Sequence, residues 1–483
     1  MQIRAEPTSL KATTKTKDSL PADFSSILED ARIKNCIQGM GVAVLYKGEL
    51  IFADGFGNRN DEDPFTKDTL MPIGSVTKSF TAIAIGELVA EGKMDWDTTS
   101  VNTYLPEFEL KDPVLTSQLT LVDLLSHRTV CLSTSFNTMY AVAGEAGARV
   151  AGVSYEELVK TKVFEPLGLT NSGFSQSALK QFSNYALPYN AASFEDAKKG
   201  NFIRGELDED YLTDAPAGDI YSNVLDLVRY GRAVLKGGEV DGKQVLNKES
   251  VAEAWKGRTF SLATRRTPDF APVQAYGLGW AIDAYKGHAK YSHNGLISGY
   301  RSSLDIYPDL DLVVAAQANV NKTALTDNLS HYILDELLDL PRTQDWLFDV
   351  SPTKTERTYE MSEKALRGDF PEKIANRPPA HSLKEYAGEY SNLAQGDVSI
   401  VYEEREDALY FKQAAFFDSR MEHHHFELFT VVLRMSAFGS AVGVKFETGA
   451  DGKVAAFTLV GPEYMDAVFK RKVAVPATAA KEE

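Results

Sequence analysis

Ser75 and Lys78 stand three residues apart in the stretch Gly74-Ser75-Val76-Thr77-Lys78-Ser79-Phe80. A serine hydroxyl is a weak nucleophile until a base removes its proton, and a neutral lysine amine held beside it can be that base. From Val76 onward, Phe80, Ile83, Ile85, Leu88 and Val89 recur at helical spacing, which predicts a helix with an apolar stripe ending near Gly92. An i, i+3 separation brings Lys78 to the face that carries Ser75. The helix start adds backbone N–H groups and a field that favours a developing oxyanion. Two residues make a weak motif. Ser177/Lys180 and Ser351/Lys354 repeat it without opening a strongly apolar helix, and a surface pair is the ordinary reading of any single match.

The elements that must position this pair can be read in order. Residues 22–37 form an amphipathic helical pattern, with Phe24, Ile27, Leu28 and Ala31 on one face. Gly41 to Leu45 and Leu50 to Ala53, joined by Lys47-Gly48-Glu49, read as a β-hairpin. Leu119 to Leu125 and Ser154 to Val163 are helical blocks. Asp219 to Leu235 reads as a short strand and then a helix, with Ser222 as its N-cap. Later, 277–282, the neighbourhood of Tyr291-Ser292-His293, 302–306 and 312–316 read as strands, followed by a helix over 323–338. Strands bracketed by an early and a late helix predict an antiparallel sheet covered by both. Beyond Pro341 the chain turns charged, and Arg377-Pro378-Pro379-Ala380 looks like a linker. From Leu383, six or so short alternating strands, one of them spanning His423 to Phe429, predict a small all-β barrel with a hairpin at Asp451-Gly452. The expected division is 1–342, a linker with a helical segment over 343–382, and a β domain over 383–475.

Composition sets the outer limits. The chain has 483 residues, 43% of them hydrophobic and 25% charged, enough for a large core and more than one domain. Its net charge of −17 would repel a phosphate backbone or an anionic bilayer, so neither nucleic acid nor a membrane surface is expected as a partner. Two cysteines, Cys36 and Cys131, make no disulfide framework, and the first twenty residues are polar. A reducing, cytoplasmic setting without a signal peptide is therefore the expectation.

With these blocks in order, residues 1–342 resemble the serine β-lactamase-related hydrolases, a superfamily that includes class C β-lactamases, D-alanyl-D-alanine carboxypeptidases, and related esterases and D-aminopeptidases. Met71-Pro72-Ile73-Gly74-Ser75-Val76-Thr77-Lys78 is similar to the family's nucleophile helix. Thr120 to His127 resembles the next helix, and Ser154-Tyr155-Glu156-Glu157 through Leu169 a helix and turn common there. The segment 214–230 resembles the cleft wall, and His293-Asn294-Gly295 the family's third element. The segment from Leu383 is similar to the lipocalin-like domain that some of these hydrolases append. The resemblance implies an α/β (α+β) fold, with an antiparallel sheet flanked by helices and a helical subdomain. It implies Ser75 as the acylated nucleophile, Lys78 as its base and His293 as a group that assists proton transfer or fixes the substrate. The backbone N–H groups of Ser75 and Leu296 would form the oxyanion hole, and Asn137, Asn294, Gly295 and Leu296 would contact substrate. The substrate would be a small-molecule ester, amide or peptide, with no cofactor, and self-association stays open.

One family element departs. The family's Tyr-x-Asn should precede the Ser154 block, and there the chain reads Ser135-Phe136-Asn137, with Val130 where a glycine is usual. Literal matches at Tyr221-Ser222-Asn223 and Tyr390-Ser391-Asn392 lie in other blocks, so Tyr221 reads as a wall or core tyrosine. A serine cannot replace a phenol in a proton relay, while an unperturbed imidazole titrates near neutrality. The expectation is therefore a weakened ester hydrolase whose rate rises with pH through the His293 pKa. The competing class is a non-catalytic binding or scaffold protein on the same fold. Elsewhere, Glu422-His423-His424-His425 puts at most two imidazoles on one side of a strand and falls short of a zinc site. Asp61-Glu62-Asp63 reads as a solvated loop, so no metal is expected.

Overall fold

The computed structural model describes residues 20–472, apart from 111, 130–135, 208–214, 263–267, 368–371, 393–395, 414–416, 436–437 and 461–467. The chain divides into two compact units between Glu356 and Arg357, within the helix Ser351–Arg367.

The first unit is organised on an eight-stranded antiparallel sheet. Its spatial order is Thr259–Leu262, Val273–Tyr276, Ala281–Tyr285, His288–Ile297, Tyr300–Tyr307, Leu312–Ala318, Gly39–Tyr46 and Glu49–Gly57. The first hairpin turns at Lys47 and Gly48, with φ of +50° and +82°, the doubly left-handed geometry of a tight two-residue hairpin turn. Alternate residues feed two cores. Leu45, Leu304, Ile306 and Val313 face the side of the Ser75 helix. Val44, Tyr307, Val314 and Ala316 face the two covering helices, Phe24–Lys34 and Leu325–Leu337. The expected sheet covered by an early and a late helix is present, with both helices on one face.

The helix that follows Ser75, Thr77–Ala90, is more deeply placed than an apolar stripe implies. Eleven of its fourteen residues are buried, including Thr77, Lys78, Ser79 and Thr81. A helix buried all round sits in the middle of a domain, not on its surface. Phe80 stacks on Tyr230 with ring centroids 3.7 Å apart. At Gly86 a Cβ would lie 2.7 Å from Ser250 Cβ, so the helix Lys248–Ala254 packs on bare backbone. Thr120 and Asp123 close a capping box that starts Leu121–Leu125.

Three local expectations are corrected. Residues 277–282 do not form one strand. Gly277 N donates to Trp280 O at 2.8 Å and Gly279 has φ +76°, so a turn separates two strands. A Cβ on Gly279 would lie 2.6 Å from Lys78 O, which is why the turn can rest on the Ser75 helix. The helix Val224–Leu235 is capped by Asn223, whose side chain accepts from Asp226 N, and not by Ser222. The segment 423–429 is two strands, because Phe426 turns with φ +49°.

In the second unit, eight antiparallel strands from Gly388–Asn392 to Val468–Arg471 close into a barrel, with Tyr390 paired to Arg471 at the seam. Tyr386, Tyr390, Phe411, Phe446, Phe457 and Phe469 are buried in its core. Side chains fill small barrels of this size. Within the Glu-His-His-His run, His423 Nε2 bonds Phe426 O and His425 Nδ1 accepts from Ile374 N. Among the described residues, no helix is long and apolar enough to cross a membrane.

Candidate active site

Met71–Pro72 pairs with the strand Ile220–Ser222, and a single 3-10 turn, Gly74–Val76, carries the chain into the Thr77–Ala90 helix. Gly74 adopts φ +52°, a left-handed conformation that glycine reaches without strain. Ser75, within this turn, is half-buried. Lys78 is 3% exposed, and its Nζ donates to Ser75 Oγ at 2.9 Å, Asn137 Oδ1 at 2.9 Å and Ala217 O at 3.0 Å. Two of these acceptors are carbonyl oxygens that must receive N–H. Once it has given up one proton, the amine can still donate to both and turn its lone pair to the Ser75 hydroxyl, which is the geometry a general base needs. Ala217 is held by its neighbours: Thr81 Oγ1 donates to Pro216 O at 2.7 Å, and Thr77 Oγ1 accepts from Ile220 N. Asn137 lies in the first turn of the helix Phe136–Ala151. Tyr140, one turn on, places its ring 5.4 Å from Lys78 Nζ and donates its hydroxyl proton to Leu125 O at 2.5 Å.

The strand His288–Ile297 lies directly against the Ser75 turn. A Cβ on Gly295 would stand 1.8 Å from Ile73 O, and one on Gly74 would stand 2.9 Å from Leu296 N. Ser302, opposite Gly295 in the register, donates to Ile73 O at 2.7 Å. The Leu296 backbone is thereby brought beside the nucleophile turn, where an N–H could meet a developing oxyanion.

His293 is held at both nitrogens. Its Nδ1 lies 2.7 Å from Asn294 O, which can only accept, so Nδ1 carries the proton. Nε2 therefore accepts, and its partner is the Tyr276 hydroxyl at 2.9 Å. Burial in the site pushes the imidazole pKa down to about 3; the Lys78 charge and, less strongly, His127 act with it, and the bond to Asn294 opposes. His127 is lowered to about 4 by burial and then by Lys78. Its ring lies 4.6 Å from that of Tyr276. The expectation that His293 titrates near neutrality runs against this downward shift, whose causes are desolvation of the half-buried ring and the charge of Lys78.

Of the residues singled out in the sequence, Ser75, Lys78, Asn137, His293, Gly295 and Leu296 gather here. Asn294 is corrected. It pairs with Ser303, whose hydroxyl donates to Thr326 O in the covering helix, so the Asn294 side chain sits on the opposite face from His293. Only its carbonyl serves the site. Tyr221 packs on Phe182, within the cluster of Leu70, Met71 and Leu179, and Asn223 caps a helix. Ser351 donates instead to Trp346 O. Ser135 and Val130 lie outside the described residues. Sequence reasoning missed Tyr276, Tyr140 and the Ala217 carbonyl. Tyr276 reaches the site from a distant strand, and no local pattern marks it.

Comparison with known proteins bears on the family and the fold. The Beta-lactamase family model matches residues 24–338, and a domain of unknown function, DUF3471, matches 372–472. The chain is 25% identical to Unguisins hydrolase ungD' of Aspergillus campestris over 459 residues, covering 82% of this chain and 81% of that one. It is 28% identical to Penicillin-binding protein 4 of Amycolatopsis lactamdurans, covering 70% and 97%. The octameric penicillin-binding protein homologue from Pyrococcus abyssi shares the fold with a TM-score of 0.55 at 20% identity, over 93% of this chain and 99% of that one. With a family model spanning well over half of its length and the Ser75–Lys78 pair seated as described, this chain belongs to the Beta-lactamase family.

Proposed function

We propose that the protein is a serine hydrolase that forms an acyl-enzyme through Ser75 and cleaves an ester or amide of a small molecule. The observation that carries this reading is the 2.9 Å contact between the buried Lys78 Nζ and Ser75 Oγ. Relatives named as a hydrolase of unguisins and as a penicillin-binding protein support the reaction class.

In this reading Lys78 takes the Ser75 proton as Oγ attacks the substrate carbonyl. The N–H groups of Ser75 and Leu296 hold the tetrahedral oxyanion. Tyr140 and Tyr276 already donate to Leu125 O and His293 Nε2. Lys78 therefore returns its proton to the departing oxygen or nitrogen as the C–O or C–N bond breaks. A water molecule then attacks the Ser75 ester, giving up its proton to Lys78, and the acid is released as the proton returns to Ser75 Oγ. An aryl ester is the favoured test substrate, because its leaving group needs little protonation.

The test is mass spectrometry after treatment with a fluorophosphonate, alongside hydrolysis of a nitrophenyl ester. A single adduct on the peptide that contains Ser75, absent in Ser75→Ala, is the expected result. No adduct and no hydrolysis would instead favour a binding protein built on this fold.

A further inference from the structure

We propose that Tyr276 is a positioning residue of this site, which holds His293 in one neutral tautomer so that the imidazole braces the Gly295–Leu296 backbone beside Ser75. The proposal rests on the hydrolase reading above and adds to it a residue outside every block of the sequence that carries the resemblance.

The argument begins from donor and acceptor counts. Asn294 O is an acceptor, so His293 Nδ1 is protonated and Nε2 presents a lone pair. Tyr276 supplies the one thing that lone pair requires, an O–H, at 2.9 Å. A phenylalanine there would leave Nε2 facing an apolar edge. The phenol is itself fixed. The Tyr276 backbone carbonyl accepts from Arg258 N at 2.8 Å, which fixes the strand that carries it, and its ring lies against that of His127 at 4.6 Å. Burial keeps Tyr276 protonated, well above the usual phenol range. It therefore keeps its proton to donate near neutral pH.

The surroundings explain why neutrality matters. Lys78 and His127 are the charged or chargeable groups that bear on the His293 ring, and both disfavour a cation there. Tyr276 and Tyr140 are neutral donors. Lys290 and Asp305 pair with each other on the opposite face of the sheet. An imidazolium would carry a proton on Nε2, push the Tyr276 hydrogen away and add a second positive charge beside Lys78. Nδ1–H would still reach Asn294 O, but the bond from Tyr276 that fixes the far side of the ring would be lost.

The experiment is ¹⁵N-histidine NMR on the full chain from pH 8 to 5, with His293 assigned through His293→Ala, together with the pH profile of nitrophenyl ester hydrolysis. In the wild type, His293 should show protonated Nδ1, unprotonated Nε2 and no titration over this range. In Tyr276→Phe, the single Nδ1–H form of the imidazole should give way to a mixture of its two neutral tautomers. The variant's kcat should fall about tenfold from misplacement of the oxyanion donors, with KM little changed. A wild-type His293 protonated on Nε2, or titrating near neutrality, overturns the proposal even where the variant fails to fold. So does a Tyr276→Phe profile identical to the wild type. Failure of the hydrolase reading is separate, because it appears as missing fluorophosphonate labelling while the tautomer measurement stands by itself.

Discussion

Ser302 Oγ donates to Ile73 O at 2.7 Å, joining residues 229 positions apart and seating the His293 strand on the turn that carries Ser75. The contact is close because Gly295, opposite Ser302, has no side chain to keep the backbones apart.

Gly295→Ala tests this seating. A Cβ 1.8 Å from Ile73 O must move the strand or the turn, since neither atom belongs to a flexible side chain. Displacing one oxyanion donor should cost about 10²–10³ in the acylation rate. The overpacking should cost about 1–3 kcal/mol of stability. Fluorophosphonate labelling rates and thermal melts read the two effects separately, and a wild-type labelling rate would refute the assigned role of the Leu296 N–H.

Lys78→Met removes the proposed base while preserving side-chain length. Ester hydrolysis should fall by about 10²–10⁴. The carbonyls of Asn137 and Ala217 lose their buried donor, so a lower melting temperature should accompany the loss. A folded Lys78→Met variant with wild-type turnover would take lysine out of the mechanism.

Tyr221→Phe and Asn223→Ala separate the literal Tyr-x-Asn match from the site. Tyr221 lies among apolar residues, so Tyr221→Phe should leave ester hydrolysis unchanged. Asn223→Ala should cost about 1 kcal/mol through the lost N-cap. Steady-state kinetics and urea unfolding check both, and a Tyr221→Phe defect as deep as that of Ser75→Ala would make this motif the working one.

Acid sensitivity follows from two histidines. His127 and His293 are lowered to about 4 and about 3 in the folded chain, against 6.5 ordinarily. Below about pH 6.5 the unfolded chain binds protons that the folded chain does not. Their contribution is therefore complete above pH 6.5 and lost progressively as pH falls toward 4 and then 3. Urea midpoints should drop between pH 7 and pH 5, and His127→Gln with His293→Gln should flatten that slope. An unchanged slope in the double variant would assign the acid sensitivity to other groups.

The sequence by itself determined what local spacing and order can encode. The Ser75–Lys78 relation is a matter of one helical turn, and the covering helices and the hairpin at Lys47-Gly48 follow from periodicity and turn chemistry. Block order drew His293, Gly295 and Asn137 toward the same place. Tertiary structure decided the rest, because it depends on contacts between distant segments. Burial of the Ser75 helix on all sides, the Ala217 carbonyl at Lys78 and the Tyr276 hydroxyl at His293 leave no periodic trace in the chain. Asn294 shows the limit clearly. Adjacent strand residues point to opposite faces, so its neighbour His293 enters the site and its own side chain does not. The His293 pKa was equally out of reach, since burial and the charge of Lys78 are properties of the folded surroundings and not of the residue.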